Sequence, residues 1–343
     1  MTRVVVAILQ SVRRLVPVCA LTFCFALLTV SLLRAQGSDD ANSFLNNSTP
    51  SHMCIGQNTL RRATARNAFR SDVDLVLVPV IVTDTWNRPV TYLRKEDFQL
   101  YDNGTPQDIT YFAQEDTPLS IGILLDTSGS MKSKFDIAAE AVSQFFNNAN
   151  RNDDYFIITY STRPTLWADS TQSIESLEQR VAAIQPDGST PLLDAIYLGL
   201  SKVQQGRHER RALLIISDGG DNNSRYSARE IREVAQESDV QIFAMGVFSP
   251  LTLSYEDWSG KKLLSEIAEA TGGRAAIVSR WTSLPDIATD ISHALRAQYL
   301  LAYKPRDKKH DGTIHKLALK TTCPKYQCRF QLYYKRQYLA PKE

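Results

Sequence analysis

The segment Asp126-Thr127-Ser128-Gly129-Ser130 follows the apolar run Ile121-Gly122-Ile123-Leu124-Leu125. It places a carboxylate and two hydroxyls at alternate positions of a tight turn, a donor set that suits a small hard cation bound through oxygen. Taken alone, the same residues also read as a helix N-cap followed by serines in a first turn. What separates the two readings is whether further oxygen donors arrive at the same place.

The surrounding pattern says where that place is. From Leu119, short apolar runs alternate with amphipathic stretches, the signature of an α/β domain with a mostly parallel, doubly wound sheet flanked by helices. Strands are expected at Ser120–Leu125, Tyr155–Tyr160, Ala212–Ile216, Val240–Val247 and Ala275–Val278, with an edge strand at Thr165–Trp167. Met131, Phe135, Ala138, Val142, Phe145 and Phe146 share one helix face, and Leu192, Leu193, Ile196, Leu200 and Val203 share another. Both stripes read as core rather than as a cofactor box.

In such a sheet a ligand sits beyond the C-terminal ends of the strands, where strand order reverses. Two further loops supply oxygen atoms by that logic. Gly188-Ser189-Thr190-Pro191 opens a helix, with Thr190 as N-cap and Pro191 at the first helical position. Ser217-Asp218-Gly219-Gly220-Asp221 ends the strand from Ala212. Asp221 and Asn222 read as loop residues, and Asp194 as either solvent-facing or backing the metal loop.

Together these residues resemble the metal-ion-dependent adhesion site of the von Willebrand factor type A (VWFA) family: Asp126-x-Ser128-x-Ser130, then Thr190 in Thr-Pro-Leu-Leu-Asp, then Asp218 in Ile-Ser-Asp-Gly. The resemblance spans Leu119 to Ala297 and includes Thr271-Gly272-Gly273-Arg274. The flanks are similar to those of secreted bacterial proteins with a VWFA-related domain, through Leu93-x-x-Glu96-Asp97-Phe98 on one side and Gln298-Tyr299-Leu300-Leu301-Ala302-Tyr303 on the other. Arg336-Gln337-Tyr338 departs from that pattern where a glycine is expected before the tyrosine. The resemblance implies that Ser128 and Ser130 bind the ion directly, and that Asp126, Thr190 and Asp218 bind it directly or through water. Magnesium is the expected ion, with manganese or calcium as alternatives. Three neutral hydroxyls and two aspartates leave the ion electrophilic toward one carboxylate from a partner.

Catalytic motifs are missing from the sequence. It has no Gly-x-Ser-x-Gly elbow, no His-Glu-x-x-His, no Gly-x-x-x-x-Gly-Lys and no Gly-x-Gly-x-x-Gly. The histidines at 52, 208, 293, 310 and 315 are scattered and none neighbours a metal-site residue in sequence. A non-enzymatic protein is expected. With 39 basic against 37 acidic residues the net charge is only +2, so no overall field favours nucleic acid or an anionic membrane surface.

Arg3, Arg13 and Arg14 precede the uncharged run Leu15–Leu33, and Ala35 offers a small residue for cleavage. Residues 1–35 therefore read as a signal peptide or as an uncleaved N-terminal anchor, the only expected membrane contact. Residues 36–70 are rich in Ser, Asn, Asp and Thr and read as a disordered linker. Export leaves Cys54, Cys323 and Cys328, either with a hairpin-closing 323–328 bridge or with unpaired thiols. Residues 71–116 read as a small Ig-like β module, with Asp102-Asn103-Gly104 as the turn between Phe98–Tyr101 and Ile109–Phe112. Residues 117–297 form the VWFA unit, and 298–343 a β extension that packs with the first module. The expected function is an exported module, periplasmic, secreted or envelope-associated, whose metal captures an acidic side chain of a protein partner. The alternatives are a structural envelope protein whose ion mainly stabilises the fold, and an accessory factor for assembling an envelope complex.

Overall fold

Two flanking β segments and one α/β unit share the chain. The computed structural model describes residues 75–114, 116–169, 173–248, 255–278, 280–306, 312–322 and 329–340. The signal or anchor segment, the linker and all three of Cys54, Cys323 and Cys328 lie outside the described residues.

The N-terminal flank supplies β1 (Val76–Thr83), β2 (Phe98–Asp102), β3 (Thr105–Gln107) and β4 (Ile109–Gln114). The central sheet is built from β5 (Ser120–Asp126), β6 (Asp154–Tyr160), β7 (Pro164–Ala168), β8 (Arg211–Ser217), β9 (Val240–Val247) and β10 (Ala275–Val278). Between these strands lie helices α1 (Phe135–Asn147), α2 (Ile174–Ala182), α3 (Leu192–Val203), α4 (Ala228–Glu237) and α5 (Tyr255–Ala270), and α6 (Leu284–Arg296) follows the last strand. The C-terminal flank adds β11 (Tyr299–Tyr303), β12 (Ile314–Thr321), β13 (Gln331–Tyr333) and β14 (Gln337–Leu339).

The central order is β10-β9-β8-β5-β6-β7, parallel except for the antiparallel edge strand β7. Both faces of this sheet are buried, so its strands read as near-continuous apolar runs. Ile121, Ile123 and Leu125 face α1, α2 and α6 through Phe135, Val142, Phe145, Leu177, Ile291 and Leu295. Leu124, Ile158, Leu213 and Ile215 point the other way, onto Leu192, Ile196 and Leu200 of α3, Ile231 of α4 and Leu264 of α5. The two stripes anticipated from spacing are therefore the inner faces of α1 and α3. From β5 the chain winds outward through β6 and β7, then returns to build β8 on the other side, so the order reverses between β5 and β8.

The flanks interleave into two four-stranded sheets, β13-β1-β11-β4 and β14-β12-β2-β3. Each combines strands from before and after the α/β unit, around a shared core of Val78, Val80, Phe98, Leu100, Tyr299, Leu301 and Tyr303. At the end of that core the hydroxyls of Tyr303 and Tyr338 both donate to Asp102 Oδ2 at 2.9 Å, and His315 Nδ1 lies 3.0 Å from Asp102 Oδ1. The flanks meet the α/β unit at the N-terminal ends of its strands. Arg210, just before β8, donates to Gln298 Oε1 at 2.8 Å, and Gln298 Nε2 donates to Gln241 Oε1 at 2.6 Å.

Three local expectations change. The Asn103-Gly104 turn forms, with φ of 47° and 79°. Its second arm, however, is the short β3, while Ile109–Gln114 crosses to the other sheet and pairs with β11. Second, Gln337–Leu339 is a strand paired with β12, in the stretch that departs from the expected glycine pattern. Third, Thr190 is not a helix cap: α3 begins at Leu192 with Pro191 in the cap position.

Candidate metal centre

Strand β5 ends on Asp126, which is fully buried. Its carboxylate is fixed by two donors, Ser128 N to Oδ1 at 3.0 Å and the Ser217 hydroxyl to Oδ2 at 2.6 Å. The chain then turns through Ser128 into a short 3-10 segment at Gly129–Met131. This turn brings the Ser128 and Ser130 hydroxyls within 3.1 Å of each other. Ser128 is buried and Ser130 is exposed, so the group opens to solvent on the Ser130 side.

Backbone hydrogen bonds tie the second loop to this turn. Gly129 N donates to Gly188 O at 3.0 Å, and Asp187 N to Thr127 O at 2.8 Å. Two residues beyond Gly188 lies Thr190, buried, with its backbone clamped to the third loop: Thr190 N donates to Asn222 Oδ1 at 2.8 Å and Asn222 N to Thr190 O at 3.1 Å. With Pro191 as cap, the start of α3 is satisfied from outside its own segment. Leu193 N reaches Asp221 Oδ1 at 3.3 Å and Ser224 Oγ at 3.1 Å. Asp194 is buried and accepts from Arg225 N at 2.9 Å and Arg225 Nε at 3.1 Å, so it backs the loop rather than facing water.

The third loop leaves β8 through Ser217 and Asp218. Gly219 N donates to Ser217 Oγ at 3.0 Å, which turns the chain at once. Gly219 adopts φ +76°, and its backbone crosses that of Gly260 in α5 so closely that a Cβ on Gly260 would stand 2.4 Å from Gly219 O. The pair of glycines is what lets the Asp218 loop lie flat on the helix. Asp218 Oδ2 accepts from Lys134 Nζ at 3.2 Å, and Lys134 also donates to Val247 O at 3.3 Å.

The structure thus gathers Asp126, Ser128 and Ser130 into one turn, and stitches the loops of Thr190 and Asp218 to the same edge of the sheet. Burial pushes the Asp126 carboxyl up to about 7, and the neighbouring charge of Asp218 pushes the same way. The buried phenol of Tyr160 is also raised, by burial and then by the charge of Asp126. Such an environment disfavours a bare carboxylate and favours one that meets a cation. Among the described residues no group of three or more His, Cys, Asp or Glu side chains is placed to hold a metal, so an ion at this edge of the sheet would have to be met in part by hydroxyls. An oxygen-only set of two carboxylates and three hydroxyls, with solvent at Ser130, fits a hard divalent ion that keeps some of its water.

Spacing did not disclose Ser217 or Lys134. Ser217 stands inside the Ile-Ser-Asp-Gly run and was legible only as the residue before a ligand candidate. The role of Lys134 depends on where its long stem reaches across the sheet edge, which no local pattern encodes.

A mostly parallel sheet with oxygen-bearing side chains gathered at its switch point is the arrangement of a doubly wound α/β domain, whose ligands sit at the strand ends. Residues 120–290 match the sequence model of the von Willebrand factor type A domain, so the chain carries a domain of that family. The human von Willebrand factor A domain-containing protein 3B is 25% identical over 159 residues, covering 45% of this chain and 11% of its own length. Proximal thread matrix protein 1 from the mussel byssus has 17% identity and a TM-score of 0.47, over 57% of this chain and 51% of that one. A further structure of the mussel protein has a zinc-occupied MIDAS motif. The von Willebrand factor type A structure from Catenulispora acidiphila has 10% identity and a TM-score of 0.46, over 78% and 74%. The chain therefore spans about a tenth of the human relative and about half of the mussel protein.

Proposed function

We propose that the chain is an exported, non-enzymatic protein-binding module. Asp126, Ser128, Ser130, Thr190 and Asp218 hold a divalent cation, magnesium first, and that cation captures an Asp or Glu carboxylate of a protein partner. The observation that carries this reading is a fully buried carboxylate, Asp126, held by two donors beside a pair of hydroxyls of which one, on Ser130, is exposed to solvent. A buried negative charge in that position calls for a counter-ion, and the open side leaves it an exchangeable coordination position. When bound, the ion supplies a Lewis-acidic contact for an incoming acid. The protein's own groups fix the carboxylates, keep the loops in register and leave one side open.

The test is capture of partners from the native envelope with wild type and Asp126→Ala, each with magnesium and with EDTA. Partner capture that needs both Asp126 and the ion, at nearly unchanged melting temperature, supports the reading. A collapse in stability with capture intact in EDTA favours the alternative, in which the ion mainly holds the fold. Titration with magnesium, manganese, calcium and zinc identifies the preferred ion.

A further inference from the structure

Lys134 stands where a second positive charge is least expected. It is the residue before α1, its side chain is only 11% exposed, and its ammonium lies 3.2 Å from Oδ2 of Asp218, whose side chain is 12% exposed. It is held there from two directions, by Asp218 and by the carbonyl of Val247 at the end of β9. A partly buried ammonium next to a cation-binding carboxylate weakens cation binding by direct repulsion and by occupying one carboxylate oxygen. The same charge strengthens the attraction of the loaded site for an anion.

We propose that Lys134 sets the electrostatic balance of this site, holding cation affinity down in order to raise its affinity for a carboxylate. This rests on the cation reading given above. The ammonium of Lys134 makes the loaded site one charge more positive than a neutral residue at that position would. One oxygen of Asp218 is committed to the ammonium, which leaves Oδ1 to act on the ion or on a water bound to it. The ammonium therefore tilts the loaded site toward an acid, and a partner is selected by a single exposed Asp or Glu rather than by a neutral oxygen ligand.

Removing the charge should shift the two affinities in opposite directions, which a purely structural tether would not do. The experiment compares wild type with Lys134→Gln, Lys134→Met and the charge-preserving Lys134→Arg, in the full chain. Manganese affinity is read from the free-ion paramagnetic resonance signal. Acetate affinity of the manganese-loaded protein is read from the relaxation of water protons as acetate displaces bound water. The neutral variants are expected to bind manganese about tenfold more tightly and acetate several-fold more weakly, with Lys134→Arg within about threefold of wild type on both. Two neutral replacements of different polarity guard against one of them failing to fold, and thermal unfolding in EDTA reports on that directly. If the wild type binds manganese and a folded neutral variant shows equal or weaker manganese affinity, or unchanged acetate affinity, the role of Lys134 is overturned while the site stands. If the wild type binds no divalent ion, the site and this role fall together.

Discussion

The Ser217 hydroxyl, at the last position of β8, donates to Asp126 Oδ2 at the last position of β5 across 2.6 Å. The two strands flank the reversal of the sheet, so this bond fixes the central carboxylate from the neighbouring strand. Replacing Ser217 with Ala leaves Asp126 with the backbone donor of Ser128 and one orphaned oxygen. We expect about 1–3 kcal/mol loss of stability at pH 8 in EDTA, measured by urea unfolding. Manganese affinity should drop as well, because the carboxylate is then free to rotate. An unchanged affinity would show that the orientation of Asp126 does not matter to the ion.

The raised pKa of Asp126 gives the metal-free protein a defined pH response. An ordinary carboxyl in the unfolded chain titrates near ~4, whereas burial lifts this one to about 7 in the folded state. The folded form binds the proton more tightly. The stability linked to this group is therefore full below about pH 4 and is lost as pH rises through 7. A bound cation relieves the cost of the ionised form, so the rise in melting temperature on adding magnesium should be larger at pH 8 than at pH 5.5. Asp126→Asn should flatten the EDTA profile across that window.

Gly260 offers a way to disturb the third loop from outside it. A methyl group there would meet Gly219 O at 2.4 Å, so Gly260→Ala must move the backbone that leads out of Asp218. The expected result is weaker manganese binding with a far-UV spectrum like wild type. Asp126 and Ser128 are untouched by this change, and equal affinity would mean that Asp218 plays no part in holding the ion.

The buried cluster at the far end of the molecule predicts the opposite pattern. Asp102 accepts from Tyr303 and Tyr338 and lies against His315 Nδ1, joining strands from both flanks. Asp102→Ala orphans these partners and should cost about 2–5 kcal/mol. Cation affinity, measured well below the unfolding temperature, should be unaffected.

Much of the architecture was legible because its signals are local. Apolar runs of strand length alternating with helical stripes specify a doubly wound sheet, and Val240–Val247 and Ala275–Val278 were bounded to the residue. The flanking β annex was also readable from alternation in both tails. What could not be read were relations set by tertiary contact. Thr190 before Pro191 has the sequence of a cap, yet the helix start is satisfied by Asp221 and Ser224, 28 and 31 residues away from Leu193, which frees the threonine side chain from that duty. Likewise, Ile109–Phe112 looks like the return arm of a hairpin, but the strand pairs with β11, and Ile109 and Phe112 pack into the core shared by the two flanks. In the candidate site the donor residues announced themselves by type and order, while Ser217 and Lys134 acquire meaning only when β8 and β5 lie side by side.

The interleaving of the two flanks has a mechanical consequence. Strand β1 is bonded on one side to β11 and on the other to β13, and β2 to β12, so strands from before and after the α/β unit are joined in both sheets. Because β1 runs antiparallel to both β11 and β13, tension applied between Val76 and Leu339 would enter those ladders from one end and peel them rather than shear them. The α/β unit, spliced in between β4 and β11, hangs outside the line of force. Tension between those two points would therefore reach the candidate metal edge only after these ladders had opened.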